Sequence, residues 1–157
     1  IPDGDPRFKC APPIRERAER DLLRRMVADG HIDTIGSDHS PAPPDIKHLS
    51  DGNLRQAWGG ISSLQLLLPT ASNALALVCK HERMMDVLAT RPAKLVGLGS
   101  RKGRIAAGID ADLVVFDPGT RFKVSAELLQ HRHKVTPYDG RELRDRKSTR
   151  LNSSHRT

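Results

Sequence analysis

The side chains best suited to chemistry are gathered in Ser37-Asp38-His39-Ser40-Pro41. A short, apolar-leaning stretch from His31 to Gly36 precedes them, and a Pro-rich loop follows. A carboxylate delivered at the tip of a strand can ligate a metal or act as a base. In a β/α barrel such a tip lies on the catalytic face. The same Asp could instead cap a following helix or turn. Adjacent residues of an extended segment point opposite ways, so His39 is expected to pack or hydrogen-bond beside Asp38 rather than share its task. His131-Arg132-His133 is a second pair of imidazoles one residue apart. Cys10 and Cys79 provide neither a disulfide framework nor metal-site spacing.

The elements that would position these residues follow from pattern. Arg7 to Ala11 reads as a short strand stopped by Pro12-Pro13. Ala18, Leu22, Leu23, Met26 and Val27 recur at helical spacing, which predicts a helix over about 15–29. Gly30 suits the left-handed position after it. A second strand then delivers Asp38, so the order strand, helix, strand predicts two neighbouring parallel strands. Residues 39–56 form a long polar loop with Pro41, Pro43, Pro44 and Gly52, and loops of that length are often functional. A Leu-rich helix over about 61–80 is expected next, kinked or split at Pro69, with Trp58 and the leucines in the core and Cys79 as an inert thiol. Shorter helical pieces follow over 84–89 and 93–98. The texture then changes. Residues 101–108 look like the approach to a hairpin, and Asp112-Leu113-Val114-Val115-Phe116-Asp117 reads as a buried strand before the Pro118-Gly119 turn.

At 157 residues the chain is one domain's worth, yet a β/α barrel takes roughly 200–250. It starts at Ile1 and not at Met. The expectation is therefore a piece of a longer protein. The net charge is +7 with 3% aromatics, but the basic residues are interleaved with acids, as in Arg15 to Asp21. That is a solvated helix face and not a nucleic-acid surface. No apolar run approaches the ~20 residues that span a bilayer. Unpaired cysteines suit a reducing compartment such as the cytoplasm, with an organellar address left open.

Residues 145–157 have no apolar periodicity, and the run from Asp145 to His155 resembles the in-frame translation of a common sequencing adapter. They are expected to be non-native. Setting aside their four Lys/Arg and one Asp lowers the net charge to about +4, a further argument against nucleic acid.

Four blocks run in the order found in one family: Lys9 to Arg15, Ser37 to Lys47, Ala57 to Ser62, and His131 to Arg141. Together they resemble the allantoinase family of cyclic amidohydrolases, within the amidohydrolase superfamily. Lys102-Gly103-Arg104-Ile105 and Asp110 to Val115 are shared more widely in the superfamily. The resemblance implies an α/β fold, the C-terminal portion of a (β/α)8 barrel plus part of a small β-sandwich. Residues 1–98 would supply the last two barrel strands and their helices, and 99–144 the sandwich segment.

The resemblance also implies a reaction, hydrolysis of the hydantoin ring of allantoin to allantoate in purine catabolism. Two divalent metal ions, usually zinc, would be held by an His-x-His pair, a carboxylated lysine, two further histidines and one aspartate. Only the aspartate matches here, as Asp38, which would be both metal ligand and general acid/base. Ala11, at the end of the preceding strand, and Gly59 with Gly60 would offer backbone groups to the substrate ring. Simple turn geometry is the competing explanation of all three. His131-Arg132-His133 falls in the family's C-terminal block, far from where the metal-binding pair belongs, and is expected to be structural. Ala42 stands where related dihydroorotases often carry His. The partners implied are a small-molecule substrate and, for the intact protein, a second copy of itself, with neither nucleic acid nor membrane. A dihydropyrimidinase-, hydantoinase- or dihydroorotase-like hydrolase, or a non-catalytic scaffold, remains the alternative. The chain alone is expected to be inactive.

Overall fold

Helix α1 (Arg17–Ala28) forms where the apolar spacing predicts it. It ends at Gly30, whose φ of +90° is the left-handed conformation expected after a helix. The structure, a computed structural model, describes residues 2–144 and the backbone of Thr149–Leu151. The remaining elements are α2 (Leu67–Leu75), α3 (His81–Met85), α4 (Arg91–Leu95), β1 (Leu113–Val115), β2 (Arg121–Lys123), β3 (Glu142–Arg144) and β4 (Thr149–Leu151). Two compact units interleave along the chain. The first draws on Ile1–Glu19, Ser37–Leu67 and Lys123–Glu142, and the second on Arg20–Gly36, Leu68–Phe122 and the described residues from Leu143.

The second unit is built around Val27, Leu75, Met84 and Val87, with Ile32, Ile35 and Cys79 packed against them. Full burial of side chains of this kind stabilises by about 1.5–3 kcal/mol each. Arg83 fastens the surrounding backbone. Its guanidinium donates to the Val27 carbonyl at 2.8 Å, to the Ile32 carbonyl at 2.7 Å and to Asp86 at 2.8 Å. Burial raises the Cys79 thiol pKa, which suits an inert thiol. Between α3 and α4 the helix widens to a single π turn at Asp86–Thr90. Pro92, in the first turn of α4, has no N–H to return to the preceding turn. The two short helices expected over 84–89 and 93–98 are thus one continuous helical run over 81–95.

Several local expectations are corrected. Residues 6–8 form a 3₁₀ turn instead of the start of a strand, because the Asp5 side chain accepts from the Arg7 amide and Pro6 opens the turn. Residues 31–36 pair with no strand among the described residues; the Ile35 amide goes to the Val87 carbonyl at 3.1 Å. The parallel contact is a single bridge between His39 and Ile61. The long helix expected over 61–80 is only nine residues, and Pro69 lies in its first turn, where a missing N–H costs nothing. Trp58 is 47% exposed and Leu64 62%, so neither is core. β1 forms as expected, but Val114 and Val115 are about half exposed. Its strand partner is the β4 backbone, antiparallel, with Leu113 opposite Leu151. β2 pairs with β3. Apart from that strand, the residues expected to be adapter-derived lie outside the described ones. Among the described residues no helix is long and apolar enough to cross a membrane.

Candidate active site

The site lies within the first unit, where the loop after residue 37 meets the segment 58–63. The pairing begins with the His39–Ile61 bridge and the Ser40 amide donating to the Ile61 carbonyl at 3.0 Å. Ser63 closes it from the side: its hydroxyl donates to the Ser37 carbonyl at 2.7 Å. The amides of Ser63 and Leu64 donate to His39 Nδ1 at 3.0 and 3.1 Å. With Nδ1 accepting two N–H groups, the neutral imidazole carries its proton on Nε2. His39 therefore fastens the segment after Gly60, the hydrogen-bonding role expected of it. Burial lowers its pKa, and the nearby His131 lowers it further.

His131 Nδ1 donates to the His133 carbonyl at 2.6 Å, and its ring stands edge-on to His39 with centroids 5.8 Å apart. The ring is thus tied to its own segment. Thr136, 2% exposed, donates its hydroxyl to the Ser62 carbonyl at 2.8 Å and anchors the C-terminal block on the same strip of backbone.

These contacts leave a cavity of about 210 Å³. Asp38, Ala11, Gly59 and Gly60 all line it, together with Cys10, Ser63 and Tyr138. The four residues singled out by sequence are therefore brought together, although they lie 49 positions apart at the extremes (11 to 60). Asp38 is exposed and has a φ of +44°. Left-handed backbone is uncommon for any residue but glycine, and Asp and Asn tolerate it best. Strain of this kind clusters at ligand-binding and catalytic positions. Burial raises the Tyr138 phenol pKa, partly offset by Arg141.

Gly60 is needed for close approach. A Cβ there would stand 2.5 Å from Ser40 Oγ and 2.6 Å from the Ser40 carbonyl oxygen. At Gly59 it would meet Ala11 Cβ at 3.5 Å, an ordinary contact. The turn thus presents bare backbone at one position by necessity and at the other without it.

Ser63 and Tyr138, which line the cavity, and Lys47, whose ammonium donates to the carbonyls of Lys9, Trp58 and Gly60 behind it, were not singled out as site residues by sequence. Lys47 belongs to the block starting at Ser37, and Tyr138 to the block at His131, so the signal was position within a block and not residue type. Ser63 follows directly on the block that closes at Ser62.

A metal centre would need more than this cavity offers. Among the described residues no three His, Cys, Asp or Glu side chains converge as a metal-binding group. Among the described residues Asp38 is the single carboxylate lining the cavity, whereas even one zinc ion takes three or four protein ligands. The described residues alone therefore do not fit a metal centre and supply one ligand at most.

Residues 12–141 match the family model described as the amidohydrolase family. The chain belongs to that family, whose members are generally metal-dependent. It is 44% identical over 146 residues to a probable allantoinase of Oryza sativa subsp. japonica, and 46% over 146 residues to the allantoinase of Arabidopsis thaliana. Each alignment covers 91% of this chain and 29% of the relative, so the chain spans less than a third of the length of these relatives. It also superposes on the D-hydantoinase (dihydropyrimidinase) of a Thermus species with a TM-score of 0.85 at 30% identity. That superposition covers 94% of this chain and 33% of the hydantoinase. The fold is accordingly α/β, that of the matching part of an amidohydrolase barrel enzyme.

Proposed function

We propose that this chain is the C-terminal part of an allantoinase, which adds water across an amide C–N bond of the hydantoin ring of allantoin and releases allantoate. The observation that carries the reading is the meeting of one carboxylate, Asp38, with the backbone of Ala11, Gly59 and Gly60 around one cavity. Identity of 44–46% to allantoinases, against 30% to the hydantoinase, favours allantoin over simpler hydantoins. A hydantoinase-like activity is the second reading, supported by the superposition. Buried Ala42, which has no side-chain donor, argues against a dihydroorotase, whose substrate carries a carboxylate.

In this reading two divalent ions, zinc in the first instance, are bound in the whole protein, with Asp38 as one ligand and the others from outside this chain. Bound there, they would lower the pKa of water towards ~7 and polarise the scissile carbonyl. The work of this chain's residues is more limited. The Asp38 carboxylate takes the proton of the attacking water. It returns that proton to the ring nitrogen as the C–N bond breaks, so the ring N–H leaves as an NH2 group, and the carbonyl carbon becomes a carboxylate whose remaining proton goes to solvent. The backbone at Ala11, Gly59 and Gly60 orients the ring amide, and close approach there requires a glycine at position 60. Residues 1–98 contribute to the barrel and 99–144 to the sandwich. The whole protein is a homo-oligomer acting on a small molecule in the cytoplasm.

The test is allantoate formation by the full-length protein carrying this segment. Turnover of allantoin supports the reading. Turnover of hydantoin without allantoin favours the second reading, and loss of neither activity on chelation of divalent metal contradicts both.

A further inference from the structure

Lys47 lies in the Pro-rich loop and is 3% exposed. Asp5 is near enough to favour its charge but makes no direct contact, and a buried ammonium without a contacting carboxylate is costly unless its donors are satisfied. No ion pair joins Lys47 to any described residue. Its three N–H groups instead meet three main-chain carbonyls: Lys9 at 2.8 Å, Trp58 at 3.0 Å and Gly60 at 2.6 Å. An ammonium has three donors and no acceptor, so its capacity is filled. The carbonyls flank the cavity-lining backbone. Lys9 leads into Cys10 and Ala11, while Trp58 and Gly60 bracket Gly59. The Gly60 amide also donates to the Lys9 carbonyl at 3.1 Å, and the Trp58 amide to the Ile46 carbonyl at 2.8 Å. One side chain thus ties together the loop after Asp38 and both backbone strips that face the cavity.

We propose that Lys47 is a positioning residue: its ammonium holds the backbone of Ala11 and of Gly59–Gly60 at the separation that seats the ring amide of a cyclic substrate. This rests on the proposed cyclic-amide hydrolysis. Burial depresses the Lys47 pKa, consistent with an ammonium kept for its geometry at some expense in solvation. An apolar residue would fill the space but take this donor from the Trp58 and Gly60 carbonyls and leave the Lys9 carbonyl with the Gly60 amide alone. Arginine's planar fork cannot match three acceptors arranged around one nitrogen.

The experiment compares full-length wild type with Lys47→Met, Lys47→Gln and Lys47→Arg, reading kcat and KM for allantoin, bound metal and melting temperature. Wild-type turnover of allantoin is checked first; if it is absent, the proposed function fails. Given that turnover, the expected result is a KM raised tenfold or more in Lys47→Met, a smaller rise in Lys47→Gln, kcat within about threefold of wild type, and unchanged metal content. A merely structural lysine would lower the melting temperature and leave KM unchanged; that result in any folded variant overturns the proposal. Should no variant fold, a structure of the wild-type protein with bound hydantoin decides. Ring amide atoms within hydrogen-bond distance of the backbone of Ala11 and Gly59–Gly60, with Lys47 still on its three carbonyls, uphold it. A ring seated away from both strips overturns it.

Discussion

Gly60 is pressed against Ser40, so closely that a Cβ on the glycine would lie 2.6 Å from the serine carbonyl oxygen. Real Cβ atoms do not approach that near, and the obstacle is backbone. Gly60→Ala is therefore expected to push the 58–61 segment away from the Asp38 loop. Overpacking of this kind costs about 1–3 kcal/mol. In the full-length protein it is expected to lower the melting temperature by several degrees and raise KM for allantoin at least tenfold. Gly59→Ala, facing only ordinary contact with Ala11, is the packing control and is expected to melt close to wild type. Thermal melts and steady-state kinetics on the pair check this.

Asp38 combines a left-handed backbone with the proton-transfer role assigned to it. Asp38→Asn retains a residue that tolerates that conformation, so the fold is expected to hold. Turnover is expected to fall about 10²–10⁴-fold, the range for losing a general acid–base group. Asp38→Gly removes the backbone strain and is expected to melt slightly higher than wild type while being equally inactive. A variant more active than Asp38→Asn at the same metal content would remove Asp38 from the chemistry.

The Ser63 hydroxyl bonds to the Ser37 carbonyl, one residue before the carboxylate. Ser63→Ala leaves that carbonyl without its donor and is expected to cost about 1 kcal/mol. Measured by denaturant unfolding, the loss should be accompanied by a drop in kcat, since the loop carrying Asp38 is held less firmly.

Legibility in the sequence differed with the range of the interaction involved. Helix α1 and Gly30 were readable because amphipathic spacing and a glycine stop are local signals. The strands expected over 7–11 and 31–36 were not recovered, because a strand exists only through its neighbours, and the amide of Ile35 finds a helix-run carbonyl instead. Trp58 and the Leu-rich helix with Leu64 were expected in the core, yet an apolar residue type does not say which face is covered. Asp38 was legible from its residue type and its place before a Pro-rich loop, whereas Ala11, Gly59 and Gly60 came only from a family resemblance carried by short blocks. Lys47 was in one of those blocks and still passed over. Its partners are main-chain carbonyls from two distant segments, and no side-chain pattern encodes them.

Acid stability gives a test independent of the site. Burial tends to raise the Asp86 pKa, but Arg91 at 2.7 Å and Arg83 at 2.8 Å outweigh it and hold the carboxyl below its usual range. A depressed carboxyl contributes stability above its unfolded pKa of about 3.9 and loses it as pH falls through the lower folded value. Wild type is therefore expected to lose stability on acidification below about pH 4, and Asp86→Asn to show a shallower loss over that window. Unfolding curves at a series of pH values would falsify this if both proteins gave the same slope.

The central claim is tested most directly by supplying the full-length protein carrying this segment with allantoin, hydantoin, dihydrouracil and dihydroorotate and measuring kcat/KM for each, with Asp38→Asn alongside. Allantoin is expected to be preferred by at least tenfold and turnover to be nearly abolished by the substitution, while the 157-residue chain alone hydrolyses none of the four. Preference for dihydroorotate, or full activity in Asp38→Asn, would contradict that claim.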